Sequence, residues 1–290
     1  MVKILSGHPV VQHLFTALET PVAQLRAQGI VPCLALIRVG ADPAAQSYAR
    51  TIQNRFAKAQ VAVQIVDFPT DVQPTIVVQA IKQLNQDTAV HGIMVLQPLP
   101  SQLAVAQLAE VIAPAKDVDS ISRLNQAANY FDIESGFYPC TAEAVMALLD
   151  YYQINLAGQR VTVVGKSMVV GKPVALALMN RDATVTVAHK LTLDLQQTCQ
   201  NADVIVACAG VPNLIDETMV HAGQVIIDVG INRVNGRLVG DVDWPAIHPI
   251  VAAATPVPGG VGTITTSILL KHTVQSAWLQ QPSAQPLIIE

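Results

Sequence analysis

One run constrains this chain more than any other: Val161-Thr-Val-Val-Gly-Lys-Ser-Met-Val-Val-Gly-Lys-Pro173. Its β-branched start breaks at Gly165 and resumes as a helix start near Gly171–Pro173, which predicts a strand, a tight turn and a helix. A turn of this kind directs backbone N–H groups and the positive end of a helix dipole at one point, an arrangement that suits a pyrophosphate. Glycine matters there because a Cβ would block the approach of a ligand to the backbone. Against the dinucleotide pattern G-x-G-x-x-G, the chain supplies Gly165, then Ser167 in the second glycine position and Val170 in the third, so the turn matches only in part. A strand–helix turn with no ligand stays open as the competing reading.

The following sequence supplies context. Ala183–His189, Asn201–Cys208 and Gly223–Gly230 are further β-branched runs separated by helix-length segments, and together they predict a parallel sheet. An NAD site would place an acidic residue at the end of the second strand to hold the ribose 2′-hydroxyl. This chain has His189-Lys190 there and Lys166 in the turn, which favours a 2′-phosphate and hence NADP.

The 290 residues suit two domains. Upstream of the central run, residues 11–28 have helical spacing and end at Gly29, Pro32–Gly40 reads as a buried strand, and Asp42-Pro43 opens a helix to about Ala59. A strand over Val61–Phe68, a helix from Asp71 to about Leu84, a strand over His91–Pro100 and a helix over Ser101–Ile112 follow. The first 120 residues thus predict an α/β unit of their own, and Lys116–Tyr138 has no clear periodicity and reads as a link. Thr141 is placed to N-cap a helix through Tyr152, Thr263–Leu279 predicts a last helix, and the tail after Gln280 reads as loosely ordered.

A net charge of −4 without a Lys/Arg cluster argues against a nucleic-acid partner. Cys33, Cys140, Cys199 and Cys208 lack C-x-x-C spacing and read as buried free thiols of a reducing compartment. No run nears 18 apolar residues, and the N-terminal stretch has no leader-like segment, so a cytoplasmic protein without a membrane partner is expected. Histidines neither pair at i, i+4 nor adjoin cysteines, so no metal is expected. Charged residues make up 13% against a usual share of about 25%, which predicts apolar surface covered by a second subunit, most simply in a homodimer.

A series of short motifs resembles one family. They are Val39-Gly40 with Pro43 and Tyr48, Gly92-Ile93 leading to Pro98-Leu99-Pro100, Lys116-Asp-Val-Asp119, Pro139-Cys-Thr141, and Gly165-x-Ser167-x-x-Val170-Gly171-x-Pro173. Asp228-Val-Gly-Ile-Asn232, Val239-Gly-Asp-Val242 and Thr255-Pro-Val-Pro-Gly-Gly-Val-Gly262 continue the series in order. Over nearly its whole length the chain resembles the bifunctional methylenetetrahydrofolate dehydrogenase/methenyltetrahydrofolate cyclohydrolases of the FolD type.

The resemblance implies an α/β fold of two domains with a cleft between them. A folate-binding catalytic domain would span 1–120 plus 263–290, and a Rossmann-like NADP-binding domain 139–262, with the C-terminal helix returning to the first domain. It implies NAD(P)-dependent oxidation of 5,10-methylenetetrahydrofolate followed by hydrolysis to 10-formyltetrahydrofolate. Carried over by position, Tyr48, Asp119 and Gln97 would be catalytic. Tyr48 and Asp119, with Pro258, Gly259 and Gly260, would shape the folate site, and Gly165, Lys166, Ser167, Gly171, Lys190 and Ile231 would bind the cofactor.

The chain departs from the family pattern at named positions. The helix that carries Y-x-x-x-K in the family has Ile52 four residues after Tyr48, and Ala45 replaces a serine three before it. Gln97 is displaced by one position in the strand, Ser120 replaces a glycine, and Thr263 replaces a proline. Loss of the lysine bears most on hydrolysis, which needs a proton-handling group, so dehydrogenation is expected to outrun it. A paralogue that binds folate or NADP as a sensor or partner subunit is the alternative that these positions leave open.

Overall fold

The computed structural model describes residues 2–133 and 136–281. In chain order it begins with β1 (Lys3–Ile4), α1 (Gly7–Ala27), β2 (Cys33–Val39), α2 (Pro43–Lys58), β3 (Ala62–Phe68), α3 (Pro74–Gln86) and β4 (Gly92–Val95). Next come α4 (Val105–Ala109), α5 (Arg123–Tyr130), α6 (Cys140–Tyr151), β5 (Arg160–Val164), α7 (Gly171–Met179), β6 (Thr184–Ala188), α8 (Leu195–Gln200) and β7 (Val204–Ala207). The chain closes with β8 (Val225–Asp228), β9 (Asn232–Val234), β10 (Arg237–Val239), α9 (Trp244–Ile247), β11 (Ala253–Ala254) and α10 (Val261–Leu279). No helix among the described residues is long and apolar enough to cross a membrane.

By packing the chain divides into two compact units, 1–12 with 141–265 and 13–140 with 266–290. In the first unit a six-stranded sheet runs β1-β11-β8-β7-β5-β6, and every neighbouring pair is parallel. The central strands β5, β7 and β8 are apolar because both faces are covered, as a parallel sheet flanked by helices requires. Val164, Ile205, Ala207, Ile226 and Ala254 belong to the core on one side of that sheet.

The assignment of residues 1–12 differs from the sequence-based boundary. Lys3 and Leu5 donate backbone hydrogen bonds to Ala252 and Ala254, so β1 extends the sheet beside β11, and the Gly7 amide donates to Gly259 at 2.7 Å. Two-residue strands have no period to read in a sequence; their partner, 250 residues away, makes them strands.

The second unit is built on a three-stranded parallel sheet, β3-β2-β4, with Ile37, Ile93, Val77, Ile81 and Leu108 in its core. Asp42 caps α2, its carboxylate accepting from the Ala45 amide at 2.8 Å, and Pro43 opens the helix. Helix α1 ends as expected at Gly29, whose φ of +80° favours glycine, but it begins at Gly7 rather than near residue 11. The last helix packs in this unit from Thr266 onward: Ser276 Oγ donates to the carbonyls of His91 and Ala115.

Three local expectations change. Lys116–Tyr138 is not an aperiodic link, because α5 forms there with Ser122 capping it through the Asn125 amide. Thr141 lies inside α6, which starts at Cys140, instead of preceding it. The strand expected over His91–Pro100 stops at Val95, so the proline-rich end is irregular. Of the tail after Gln280, residues 282–290 lie outside the described residues.

Candidate active site

In the first unit, the turn after β5 has the geometry its glycines predicted. Gly165 adopts φ +136°, and a Cβ there would overlap the Cys208 backbone; a Cβ on Gly171 would overlap the Gly165 carbonyl. The backbone therefore forms a cradle that side chains would fill. Lys166 and Ser167 are exposed in it and Gly171 is buried. Ser167 Oγ accepts from the amides of Val170 (3.1 Å) and Gly171 (3.3 Å), so the serine ties the turn to the start of α7. Those two amides are thereby already occupied. Lys190 is exposed just past the end of β6, where the His189 amide is bound by Thr192 Oγ1 at 2.9 Å.

A cavity of about 200 Å³ lies at the C-terminal end of β8, lined by Asp228, Ile231, Leu238, Pro256, Pro258 and Gly259 among others. Its wall depends on two carboxylates that sequence reasoning did not single out as site residues. Asp228 accepts from the amides of Gly230 (2.9 Å), Asp241 (3.0 Å) and Val242 (3.1 Å), and burial raises its pKa to about 6 despite those donors. Asp241 accepts from the Gly210 amide and from Asn232 Nδ2, both at 2.8 Å. Both motifs, Asp228-Val-Gly-Ile-Asn232 and Val239-Gly-Asp-Val242, were visible in the sequence, but nothing there showed that one carboxylate binds the amides of the other segment. Ile231 is exposed at the cavity and would meet a Cβ placed on Gly262 at 3.1 Å.

In the second unit Tyr48 and Asp119 interact. Tyr48 is half-buried on α2, and burial, then the charges of Cys140 and Asp119, push its phenol well above the usual range; its hydroxyl is hydrogen-bonded to the Thr266 side chain of α10. Burial likewise raises Asp119 to about 6, opposed by hydrogen bonds from the Cys140 thiol and amide and by the nearby His272. Four residues on from Tyr48, Ile52 is fully buried, in line with Ala45, Ala49 and Phe56 on the core face of α2. Arg55, seven residues on, donates from Nη1 to Ser267 Oγ at 2.7 Å, and desolvation lowers its pKa.

The surrounding loop is held by Asp117, which is buried and accepts from the amides of Ile121 (3.0 Å) and Ser122 (2.8 Å) and from Asn125 Nδ2 (3.0 Å). It is a structural residue that holds this loop. Ser120 sits at φ +56°, in the left-handed region that glycine adopts most easily, and its hydroxyl accepts from Asn129 Nδ2 at 3.1 Å. Gln97 is exposed beyond the end of β4, so strand parity does not decide where it points. Pro258, Gly259 and Gly260, grouped with Tyr48 and Asp119 in the sequence reading, belong by packing to the other unit. A larger concavity of about 290 Å³, lined by Phe15, Glu19, Val22 and Lys58 among others, contains none of these residues.

Residues 5–119 match the tetrahydrofolate dehydrogenase/cyclohydrolase catalytic domain, and residues 139–281 match the NAD(P)-binding domain of the same enzymes. The chain belongs to the tetrahydrofolate dehydrogenase/cyclohydrolase family. A bifunctional FolD protein of Lactobacillus gasseri is 41% identical over 274 residues, covering 94% of this chain and 97% of the relative. Among solved structures, the bifunctional FolD of Campylobacter jejuni superposes with a TM-score of 0.95 at 36% identity, over 97% of this chain and all of the other. The FolD of Trypanosoma brucei, complexed with NADP cofactor and inhibitor, gives 0.90 at 34% identity over 95% of this chain and 97% of its own.

The two-domain α/β architecture, with a catalytic part, a Rossmann-like part and a C-terminal helix, is that of the family. Sequence and packing divide the chain differently at α10: the NAD(P)-binding match runs through residue 281, whereas the helix packs with the other unit from Thr266 on.

Proposed function

We propose that this chain oxidises 5,10-methylenetetrahydrofolate to the 5,10-methenyl form with NADP, and that it hydrolyses the methenyl product to 10-formyltetrahydrofolate slowly. When bound, NADP supplies the hydride acceptor. The cradle of Gly165 and Gly171 fits its pyrophosphate, Lys166 and Lys190 carry the charge for a 2′-phosphate, and Ile231 lies at the adjoining cavity.

Loss of hydride turns the neutral five-membered ring of the folate into an amidinium cation. Of the groups around Tyr48, the Asp119 carboxylate has the sign to stabilise that change, and Arg55 has the wrong one. Tyr48, protonated at neutral pH, can donate a hydrogen bond and orient the folate.

Hydrolysis is different, because the attacking water must lose a proton. The observation that carries this reading is the burial of Ile52 one turn after Tyr48, on a face whose remaining basic group, Arg55, stays charged and cannot act as a base. General-base assistance typically contributes about 10²–10⁴-fold, so the missing group sets the expected deficit. Measuring dehydrogenase and cyclohydrolase rates separately on purified protein tests both halves. Methenyl hydrolysis that keeps pace with dehydrogenation refutes the second; no NADPH formation from methylenetetrahydrofolate refutes the first.

The chain further acts as a homodimer in the cytoplasm. Its charged share of 13% is low, and Val187, Leu191 and Leu193 are exposed on and after the edge strand β6. Sedimentation as a monomer at micromolar concentration would exclude the dimer.

A further inference from the structure

Helix α10 brings a histidine to the Asp119 segment. His272 is buried at 1% exposure, with its ring 5.0 Å from the Phe137 ring. Its Nδ1 lies 2.8 Å from the Val118 carbonyl oxygen and 3.7 Å from Cys140 Sγ. Cys140 Sγ in turn lies 3.3 Å from the same carbonyl, and both the thiol and the amide of Cys140 hydrogen-bond the Asp119 carboxylate.

The thiol has one proton and two acceptors, the Val118 carbonyl and the Asp119 carboxylate. A carbonyl oxygen only accepts, so at 2.8 Å the proton lies on Nδ1 of His272, and the carbonyl is served by the shorter bond. With the carbonyl already served by the shorter imidazole bond, the thiol proton goes to the carboxylate, the stronger acceptor.

We propose that His272 is a positioning residue for Asp119: by donating Nδ1–H to the Val118 carbonyl, it releases the Cys140 thiol proton to the Asp119 carboxylate and so fixes the orientation of that carboxylate toward folate. The consequence for folate rests on the proposed dehydrogenase reading; the proton assignment does not. The other ionisable groups facing Asp119 are Asp117 and Tyr48, and substitutions at 272 leave both in place.

The test compares His272→Leu, which removes the donor, with His272→Asn, whose Nδ2 sits where Nδ1 does. Both remove the imidazole, so the donor is separated from any charge. The readouts are the ¹³C titration of the Asp119 carboxyl, assigned with Asp119→Asn, and the pH profile of kcat/KM for methylenetetrahydrofolate. His272→Leu is expected to move the Asp119 titration up by about one pH unit, the size of one charge-assisted hydrogen bond, and to carry the acidic limb with it. His272→Asn is expected to restore both. An unmoved titration in folded His272→Leu, or equal shifts in both variants, overturns the proposal. If His272→Leu does not fold, Cys140→Ala decides: it should raise the Asp119 titration, and no shift there overturns the proposal. A wild type without dehydrogenase activity refutes the functional reading, while the carboxyl titration still tests His272.

Discussion

Replacing Asp119 by asparagine should make the protein more stable at neutral pH while removing its activity. The ordinary carboxyl value of 3.8 is raised to about 6 in the fold, chiefly by burial. Between these two values the folded protein holds more protons than the unfolded chain, so stability falls as pH climbs from about 4 to 6, and the full penalty stands above 6. A shift of about two units at roughly 1.4 kcal/mol each sets a ceiling near 3 kcal/mol. Partial solvent contact screens part of this, and asparagine accepts less well from the Cys140 amide and thiol, so about 1–2 kcal/mol is the expected gain at pH 7.5. Urea denaturation of wild type and Asp119→Asn from pH 4 to 8 measures it. The difference should favour the variant at pH 7.5 and shrink toward pH 4, where the wild-type carboxyl is neutral. A difference independent of pH, or a variant less stable throughout, would refute the reasoning. In parallel, wild-type kcat/KM should fall about tenfold per unit below pH 6 if the carboxylate form binds folate, and Asp119→Asn should show neither the activity nor the limb.

Ile52→Lys should raise methenyl hydrolysis by about 10–10³-fold over wild type with a smaller effect on dehydrogenation, at a cost in thermal stability because an ammonium enters a fully buried position; unchanged hydrolysis in the folded variant counts against a missing base. The double variant Lys166→Glu, Lys190→Glu should lower the NADP/NAD affinity ratio by about 10-fold or more, read by isothermal titration, and an unchanged ratio would remove both lysines from the cofactor site. Gly240→Ala should destabilise the protein by about 2 kcal/mol or more in urea, because a Cβ there overlaps the Asp228 carboxylate that binds the Asp241 and Val242 amides; a variant as stable as wild type would show that this loop relaxes freely.

Periodicity and punctuation along the chain were enough to read most of the frame. Asp42-Pro43 started α2, Gly29 ended α1, and the β-branched runs at 161–164, 184–188, 204–207 and 225–228 became parallel neighbours, because caps, left-handed turns and doubly covered strands are local requirements that a few adjacent residues satisfy or fail. The cradle at Gly165 and Gly171 was legible for the same reason. Tyr48, Asp119 and Ile52 could be named as candidates from the chain, because a short motif fixes their spacing, one turn of helix between Tyr48 and Ile52.

What the tertiary structure alone decided were partnerships between segments far apart. β1 and β11 have two residues each and are strands only because each completes the other, so the first twelve residues joined a unit that the sequence did not assign them to. Ser167 proved to close the turn before α7, Asp117 to be a buried acceptor of loop amides, and Asp228 the common partner of Gly230, Asp241 and Val242. Thr266, Ser267 and His272 of one helix reach Tyr48, Arg55 and the Asp119 segment more than 130 residues earlier. Such bonds depend on where two surfaces meet after folding, and the local pattern around either partner is the same whether or not the other arrives.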